Sequence, residues 1–185
     1  MTTIRSFTCD DLFHINNVNL DPWTETYGLG FYMDYLARWP EYFQIAESPS
    51  GEIMGYIMGK AEGSGELWHG HVTALSVARD FRRQGLAAKF MNILEEISET
   101  NATSPLDAWR ERKRCYFVDL FVRVSNIRAV DRYNKMGYST YRKVIGYYSG
   151  DVDEDAFDMR KALSRDVEKK SIIPLSHPVH PEELD

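Results

Sequence analysis

The run Leu75-Ser76-Val77-Ala78-Arg79-Asp80-Phe81-Arg82-Arg83-Gln84-Gly85-Leu86-Ala87-Ala88-Lys89 has residue types that can hold a pyrophosphate. A strand ends, a basic turn follows, and a helix opens on small residues. N–H groups at a helix start lack intrahelical acceptors, the positive end of the helix dipole favours an anion, and a glycine lets the backbone come close. Arg79, Arg82 and Arg83 add positive charge. The same residues would also make a solvated turn and an ordinary helix start. Three contextual features point to the phosphate: the strand before, the amphipathic helix after, and a second pattern downstream.

Just upstream, His71, Thr73, Leu75 and Val77 alternate, so all four share one face of the strand that leads into this turn. His69 and His71 stand two apart, a spacing that suits a metal, but no third and fourth ligand has suitable context, and no metal is expected. On its own terms a strand histidine is a satisfied structural group.

These residues need a scaffold, and the chain supplies one in order. Thr3 to Phe7 alternates as a strand. Asp10 would cap a helix over Asp11 to Asn19, ended by the break at Asp21-Pro22. A loop, Trp23 to Leu29, leads to a helix from about Gly30 to Arg38, stopped by Pro40. Tyr42 to Glu47, Ile53 to Glu62 and Trp68 to Val77 read as a meander of three strands with turns at Ser48-Pro49-Ser50-Gly51 and Gly63-Ser64-Gly65. Leu86 to Thr100 is an amphipathic helix with Leu86, Phe90, Ile93, Leu94 and Ile97 on one side. Tyr116 to Val124 is nearly all apolar, as a central strand covered on both faces would be. A helix from about Asn126 to Met136 and strands near Tyr138 to Ile145 and Ala156 to Arg160 follow. The expected architecture is α+β: a mixed, mostly antiparallel central sheet of about seven strands flanked by about four helices.

Residues 101–114, with Pro105 and mostly positive charge, read as a surface insertion. The expected domain is 2–163. Residues 164–185, broken by Pro174, Pro178 and Pro181, form a tail that is disordered or packed on a surface.

With 185 residues, 43% of them hydrophobic, the chain is long enough for one domain with a core. The net charge of −6 disfavours direct binding of nucleic acid or an anionic membrane, so an anionic ligand needs a local basic patch. Two cysteines, Cys9 and Cys115, are too few for a disulfide framework and fit a reduced cytoplasm. The start MTTIRSFTCDD lacks the pattern of a signal peptide, and no apolar run approaches the roughly 20 residues of a bilayer span. A soluble, cytoplasmic protein is expected.

Arg82-Arg83-Gln84-Gly85-Leu86-Ala87 resembles the Q/R-x-x-G-x-G/A pattern of the GNAT acetyltransferase superfamily, and Asn126-Ile127-Arg128-Ala129-Val130-Asp131-Arg132-Tyr133 with Gly137-Tyr138 resembles its N-x-x-A-x-x-x-Y-x-x-x-G-Y/F segment. The resemblance implies the GNAT fold and acetyl-CoA as co-substrate. It implies cofactor contacts from Leu75, Ser76, Val77, Arg82, Arg83, Gln84, Gly85, Leu86, Ala87, Asn126 and Tyr133. It gives catalytic roles to the Val77 region, whose backbone would polarise the thioester, to Asn126, and to Tyr133 as donor to the leaving thiolate.

Longer runs narrow the resemblance to the NatB-type N-terminal acetyltransferase catalytic subunits: Thr3 to Phe13, Leu20-Asp21-Pro22, Thr24 to Gly28, Met54 to Lys60, Trp68 to Leu75 and Asp158 to Arg165. That resemblance covers nearly the whole chain and departs at 101–114. It implies substrates beginning Met-Asp, Met-Glu, Met-Asn or Met-Gln, read by Glu25, Tyr27, His71, Thr73, Tyr147 and Tyr148, the last two in a loop before the final strand. His71 and Thr73 would donate to the second residue's oxygen. It also implies a large helical-repeat auxiliary subunit that docks the enzyme at ribosomes, where it meets nascent N-termini; the apolar residues of the first two helices are candidate contacts, and a core-facing role explains them equally well. With an α-amine pKa of about 7.7 to 8.0 against about 10.4 for lysine, a modest base suffices. Cys9 and Cys115 lie outside the motifs, so attack is direct in a ternary complex. Two other readings are weighed: acetylation of lysine or another amine, and an acyl-CoA-binding module without turnover.

Overall fold

The structure, a computed structural model, describes residues 2–21, 24–100, 114–150 and 152–184. Residues 101–113 of the expected insertion, and Pro22 and Trp23 of the expected break and loop, lie outside the described residues. The strands are β1 (Thr3–Ser6), β2 (Phe43–Glu47), β3 (Ile53–Glu62), β4 (His69–Val77), β5 (Phe117–Arg123), β6 (Ser139–Tyr148) and β7 (Glu154–Ala162). The helices are α1 (Asn16–Asn19), α2 (Leu29–Arg38), α3 (Leu86–Thr100) and α4 (Ile127–Lys135). The strands form one seven-stranded sheet in the order β1-β2-β3-β4-β5-β7-β6. Among the described residues this is the α+β arrangement, seven strands and four α-helices, that the sequence predicts as about seven and about four.

The chain divides into two compact units, Met1–Lys60 with Val72–Arg112, and Ala61–His71 with Lys113–Asp185. In the first, β1 to β3 pair antiparallel, with Thr3 opposite Glu47 and Phe43 opposite Met58. β3 is buried continuously from Ile53 to Gly59, so it presents no polar face. Its core gathers Val18, Tyr32, Tyr35, Phe43, Ile45, Tyr56 and Met58. α3 buries Leu86, Phe90, Met91 and Leu94, and Tyr42 and Ser98 share a buried hydroxyl hydrogen bond of 3.2 Å.

The helix expected over 11–19 is replaced by a 3-10 turn, Cys9–Phe13, and the single turn α1. The residue at its start is Thr8 rather than Asp10. The Thr8 amide and hydroxyl donate to Asp11 Oδ2 at 2.8 and 2.9 Å, and Arg5 grips the same carboxylate with two nitrogens at 2.7 and 2.8 Å. The Arg5 hydrogen bonds, helped by Thr8 and opposed by burial, hold the Asp11 carboxyl down at about 2. Farther on, asparagines spend their amides on tertiary bonds: Asn17 to Ile53 O at 2.6 Å, and Asn19 to the Tyr32 hydroxyl at 3.4 Å while it accepts from Tyr56 at 2.8 Å. Side chains that bond elsewhere in this way compete with helix continuation.

In the second unit β5 and β6 each pair antiparallel with β7. β6 runs to Tyr148, past the expected end at Ile145. Gly146 takes a left-handed φ of 63°, its amide donates to Asp155 Oδ1 at 2.9 Å, and the strand continues after this irregularity. Tyr147 and Tyr148 are therefore strand residues, a correction to the loop the sequence suggested. The final segment runs beside β6. Leu175 and Val179 donate to Tyr141 O and Lys143 O at 2.8 and 3.0 Å, Ile145 donates back to Val179 O at 2.9 Å, and Val179 is buried with Val144 and Ala156.

Candidate active site

In the first unit β4 ends at Val77, a 3-10 turn spans Arg79–Phe81, and α3 begins at Leu86. Within β4, Thr73, Ala74, Leu75 and Val77 are half-buried while Ser76 is buried. Gly55 lets the neighbouring backbone approach: a Cβ there would sit 2.5 Å from Ser76 O and 3.0 Å from Val77 Cα, and Ala78 N donates to Met54 O at 2.9 Å. The end of β4 is thus fixed by its backbone neighbours.

Past it, Arg82, Arg83, Gln84 and Gly85 are exposed, and Arg83 and Gly85 take left-handed φ angles of 65° and 82°. The first hydrogen bond into α3 runs from Lys89 N to Gly85 O at 3.1 Å. Helix geometry then leaves the N–H groups of Leu86, Ala87 and Ala88 without intrahelical acceptors. Exposed glycine, arginine and unfilled N–H groups at a helix start fit a bound pyrophosphate. Arg82 is partly committed: its Nε donates to Val77 O at 3.0 Å and it pairs with Asp21 at 2.8 Å.

In the same unit Tyr35 shares a hydroxyl hydrogen bond with Thr73 Oγ1 at 2.9 Å, and Tyr27 donates to Thr73 O at 3.4 Å. Tyr27 stacks on Phe31 with ring centroids 4.4 Å apart. Glu25 is exposed on the segment before α2. Thr73 and Tyr27 are brought together, and Tyr35, which the sequence did not single out as a site residue, joins them.

In the second unit Asn126 and Tyr133 stand at the start and on the body of α4. Asn126 is the helix cap, its side chain accepting from Ala129 N at 3.2 Å, so part of its role is structural. Tyr133 is half-buried, but its hydroxyl is taken from water, and burial pushes it up to about 12 against the pull of Arg132. A phenol in that condition stays protonated and able to donate throughout the neutral range.

The second unit also holds a carboxylate the sequence reading passed over. Asp119, mid-β5 and 4% exposed, accepts from His71 Nδ1 at 2.8 Å and lies 3.5 Å from His69 Nε2. His69 Nδ1 contacts Leu67 O at 2.6 Å, and the His69 ring stacks on Phe117 at 4.7 Å. Burial works against ionisation of Asp119, but the attraction of His71 and His69, with Arg160 adding to it, holds the carboxyl below its usual range. Nearby, Arg160 pairs with Asp158 at 3.1 Å and Arg142 pairs with the same carboxylate at 2.8 Å. Burial there pushes the Asp158 carboxyl up despite its two arginines. One signal was legible: Asp119 is the lone carboxylate of a strand that is apolar elsewhere up to Arg123, and such a group survives burial only when paired.

Phe121 lies 5.7 Å from His71 by ring centroids, and Tyr147 stacks on Phe121 at 4.5 Å. Tyr148 is turned to the sheet: its hydroxyl donates to Phe121 O at 3.1 Å and Arg123 covers its ring. Tyr147 therefore lies in one aromatic series with His71, whereas the Tyr148 hydroxyl is spent on backbone. Glu62, His69 and His71 bring three potential ligand atoms within 4.8 Å of one another. Leu67 O and Asp119 engage the two histidine Nδ1 atoms, which accounts for one nitrogen of each ring and leaves the Nε2 atoms as the remaining candidate ligands.

In the first unit, a strand running into a helix start with unfilled N–H groups is an arrangement that suits a bound pyrophosphate. The chain belongs to the acetyltransferase (GNAT) family, whose model matches residues 10–138. It is 57% identical over 185 residues to an Arabidopsis thaliana protein named N-terminal acetyltransferase B complex catalytic subunit NAA20, covering 100% of this chain and 99% of that one. It is 61% identical to Dictyostelium discoideum N-alpha-acetyltransferase 20 over the same span, with the same coverage. The solved structure of Chaetomium thermophilum Naa20 in complex with a bisubstrate analogue matches with a TM-score of 0.85 at 41% identity, covering 97% of each chain. Within the family the chain falls among the catalytic subunits of N-terminal acetyltransferase B. It is an N-terminal acetyltransferase with acetyl-CoA as co-substrate.

Proposed function

We propose that this enzyme acetylates the α-amine of nascent chains beginning Met-Asp, Met-Glu, Met-Asn or Met-Gln, by direct attack in a ternary complex. The observation that carries the reading is the half-buried, alternating polar face of β4, with His71 and Thr73 on the strand that runs into the Arg82–Ala87 turn. Neither group is suited to an apolar second side chain, and both can hydrogen-bond a carboxylate or an amide. Leu75, Ser76 and Val77 supply backbone groups along the pantetheine arm. Arg82, Arg83, Gln84, Gly85, Leu86 and Ala87 hold the pyrophosphate. Tyr133 donates its proton to the departing thiolate and Asn126 holds the start of its helix. Glu25, Tyr27, Tyr147 and Tyr148 frame the incoming peptide.

The α-amine needs little activation, since a pKa near about 8 leaves a sizeable neutral fraction at pH 7, whereas lysine at about 10.4 needs a stronger base. Among the described residues no helix is long and apolar enough to cross a membrane, which suits work in the cytoplasm. Phe13, Leu20, Leu29 and Met33 are exposed in the first unit, 74%, 83%, 61% and 41% respectively. They provide an apolar surface for a helical-repeat auxiliary subunit that brings the enzyme to the ribosome. The catalytic domain spans 2–163, and 164–185 is an appended cover.

The test is acetyl-CoA turnover on peptides beginning Met-Asp, Met-Leu and Ser-Glu and on a blocked peptide with a free lysine, with and without the auxiliary subunit. Met-Asp is expected to turn over at least tenfold faster than the rest. Activity confined to the blocked lysine peptide would overturn the N-terminal reading while leaving the family intact.

A further inference from the structure

Asp119 is too deeply buried and too well paired to be an accident of packing. It lies mid-β5 with Leu120 and Val118 on either side fully buried, and it engages two histidines of β4 at 2.8 and 3.5 Å. A carboxylate accepts only, so the hydrogen in the 2.8 Å contact belongs to His71 Nδ1. That fixes the ring: its orientation is set by the bond, and Nε2 is left as its other polar atom. Phe121, 5.7 Å away, packs beside it and limits rotation.

We propose that Asp119 is the positioning residue for second-residue recognition, locking His71 with Nδ1–H inward so that Nε2 meets the substrate's second side chain. The assignment rests on the reading that the enzyme selects Met-Asp-type N-termini. One locked ring can then serve both substrate chemistries. An asparagine or glutamine amide donates its N–H to the bare Nε2. An aspartate or glutamate accepts from Nε2 only when that nitrogen carries a hydrogen as well, and the ring then bears a positive charge between two carboxylates, Asp119 behind it and the substrate in front. Removing the rear charge should therefore harm acidic second residues more than amides. Arg160 and Arg142 both pair with Asp158, whereas Asp119 faces His71 and His69 with Arg160 farther off, and Glu62 lies 3.9 Å from His69 Nε2.

The experiment compares wild type with Asp119→Asn on Met-Asp and Met-Asn peptides. The expected result is at least a tenfold fall in the ratio of kcat/KM for Met-Asp to that for Met-Asn, carried by a higher KM for Met-Asp with its kcat nearly unchanged. Equal losses on both peptides, or a loss in kcat alone, would overturn the assignment and leave Asp119 a structural group. Should the variant not fold, ¹⁵N NMR of the wild-type histidines decides: His71 is expected to carry its hydrogen on Nδ1, and a neutral ring with the hydrogen on Nε2 alone would refute the proposal. A wild type with no preference for Met-Asp or Met-Asn over Met-Leu would sink the substrate reading instead, so the two failures are distinct.

Discussion

At the residue scale the chemistry divides between groups visible in the sequence and groups only a fold can pair. Tyr133 was legible only through the family pattern that Asn126, Tyr133 and Gly137 resemble; its condition was not, since burial sets it. With its hydroxyl pushed up to about 12, the phenol is a weak acid that stays intact through the working range. A raised phenol loses its proton only as pH climbs toward that value, so the activity profile should show no basic limb from Tyr133 below about pH 11. Tyr133→Phe is expected to lower kcat by roughly ten- to a hundredfold, the low end of acid–base contributions, with KM for acetyl-CoA within about threefold. An unchanged kcat in steady-state kinetics would take the proton-donor role from it. Asp119 was harder to read. It sat in plain view as the one carboxylate of an apolar strand, but the histidines that explain it are 48 and 50 positions away, a separation that spacing rules do not reach.

At the element scale, strands and long helices followed from periodicity because burial imposes it. β3 and α3 begin and end where their apolar patterns do, Ile53–Glu62 and Leu86–Thr100. The segment 9–19 failed the same logic. Its apolar residues recur at helical spacing, but Asp11 is captured by Arg5 and Thr8, and Asn17 and Asn19 bond to β3 and to tyrosines, which outweighs a weak helical preference. β6 runs past the expected end at Ile145 because Asp155 satisfies the Gly146 amide and the strand passes through. The close approach of β3 and β4 gives the element-scale prediction. Gly55→Ala puts a methyl 2.5 Å from Ser76 O, where backbone must move, and the backbone that moves is the stretch proposed to lie along the thioester arm. The variant is expected to lose about 1–3 kcal/mol of stability in denaturant unfolding, as overpacking does, and to raise KM for acetyl-CoA several-fold. Normal stability with unaltered KM would show that β4 tolerates the shift.

At the scale of the whole chain, the sheet order leaves β6 at one end, a row of unpaired backbone that invites association. The proline-broken tail answers this problem. The sequence told only that 164–185 could not be a regular element. Whether it lies on the protein depends on partners in β6 far upstream, and there Leu175 and Val179 donate to Tyr141 and Lys143 and Val179 buries beside Val144. Asp166 fastens the segment's start, accepting from Lys170 N, Ser171 N and Ser171 Oγ at 3.0, 2.9 and 2.6 Å. If the tail is a structural cover for an edge strand, one buried contact should matter more than the many exposed ones. Val179→Asp would bury an unpaired carboxylate at a site 5% exposed and is expected to cost about 2–4 kcal/mol, with loss of a monomeric peak on size-exclusion chromatography. Leu175→Asp, at a position 37% exposed, is expected to cost under about 1 kcal/mol. Equal effects from the two would mean that the segment is not held by Val179, and that β6 is protected by its charged side chains alone.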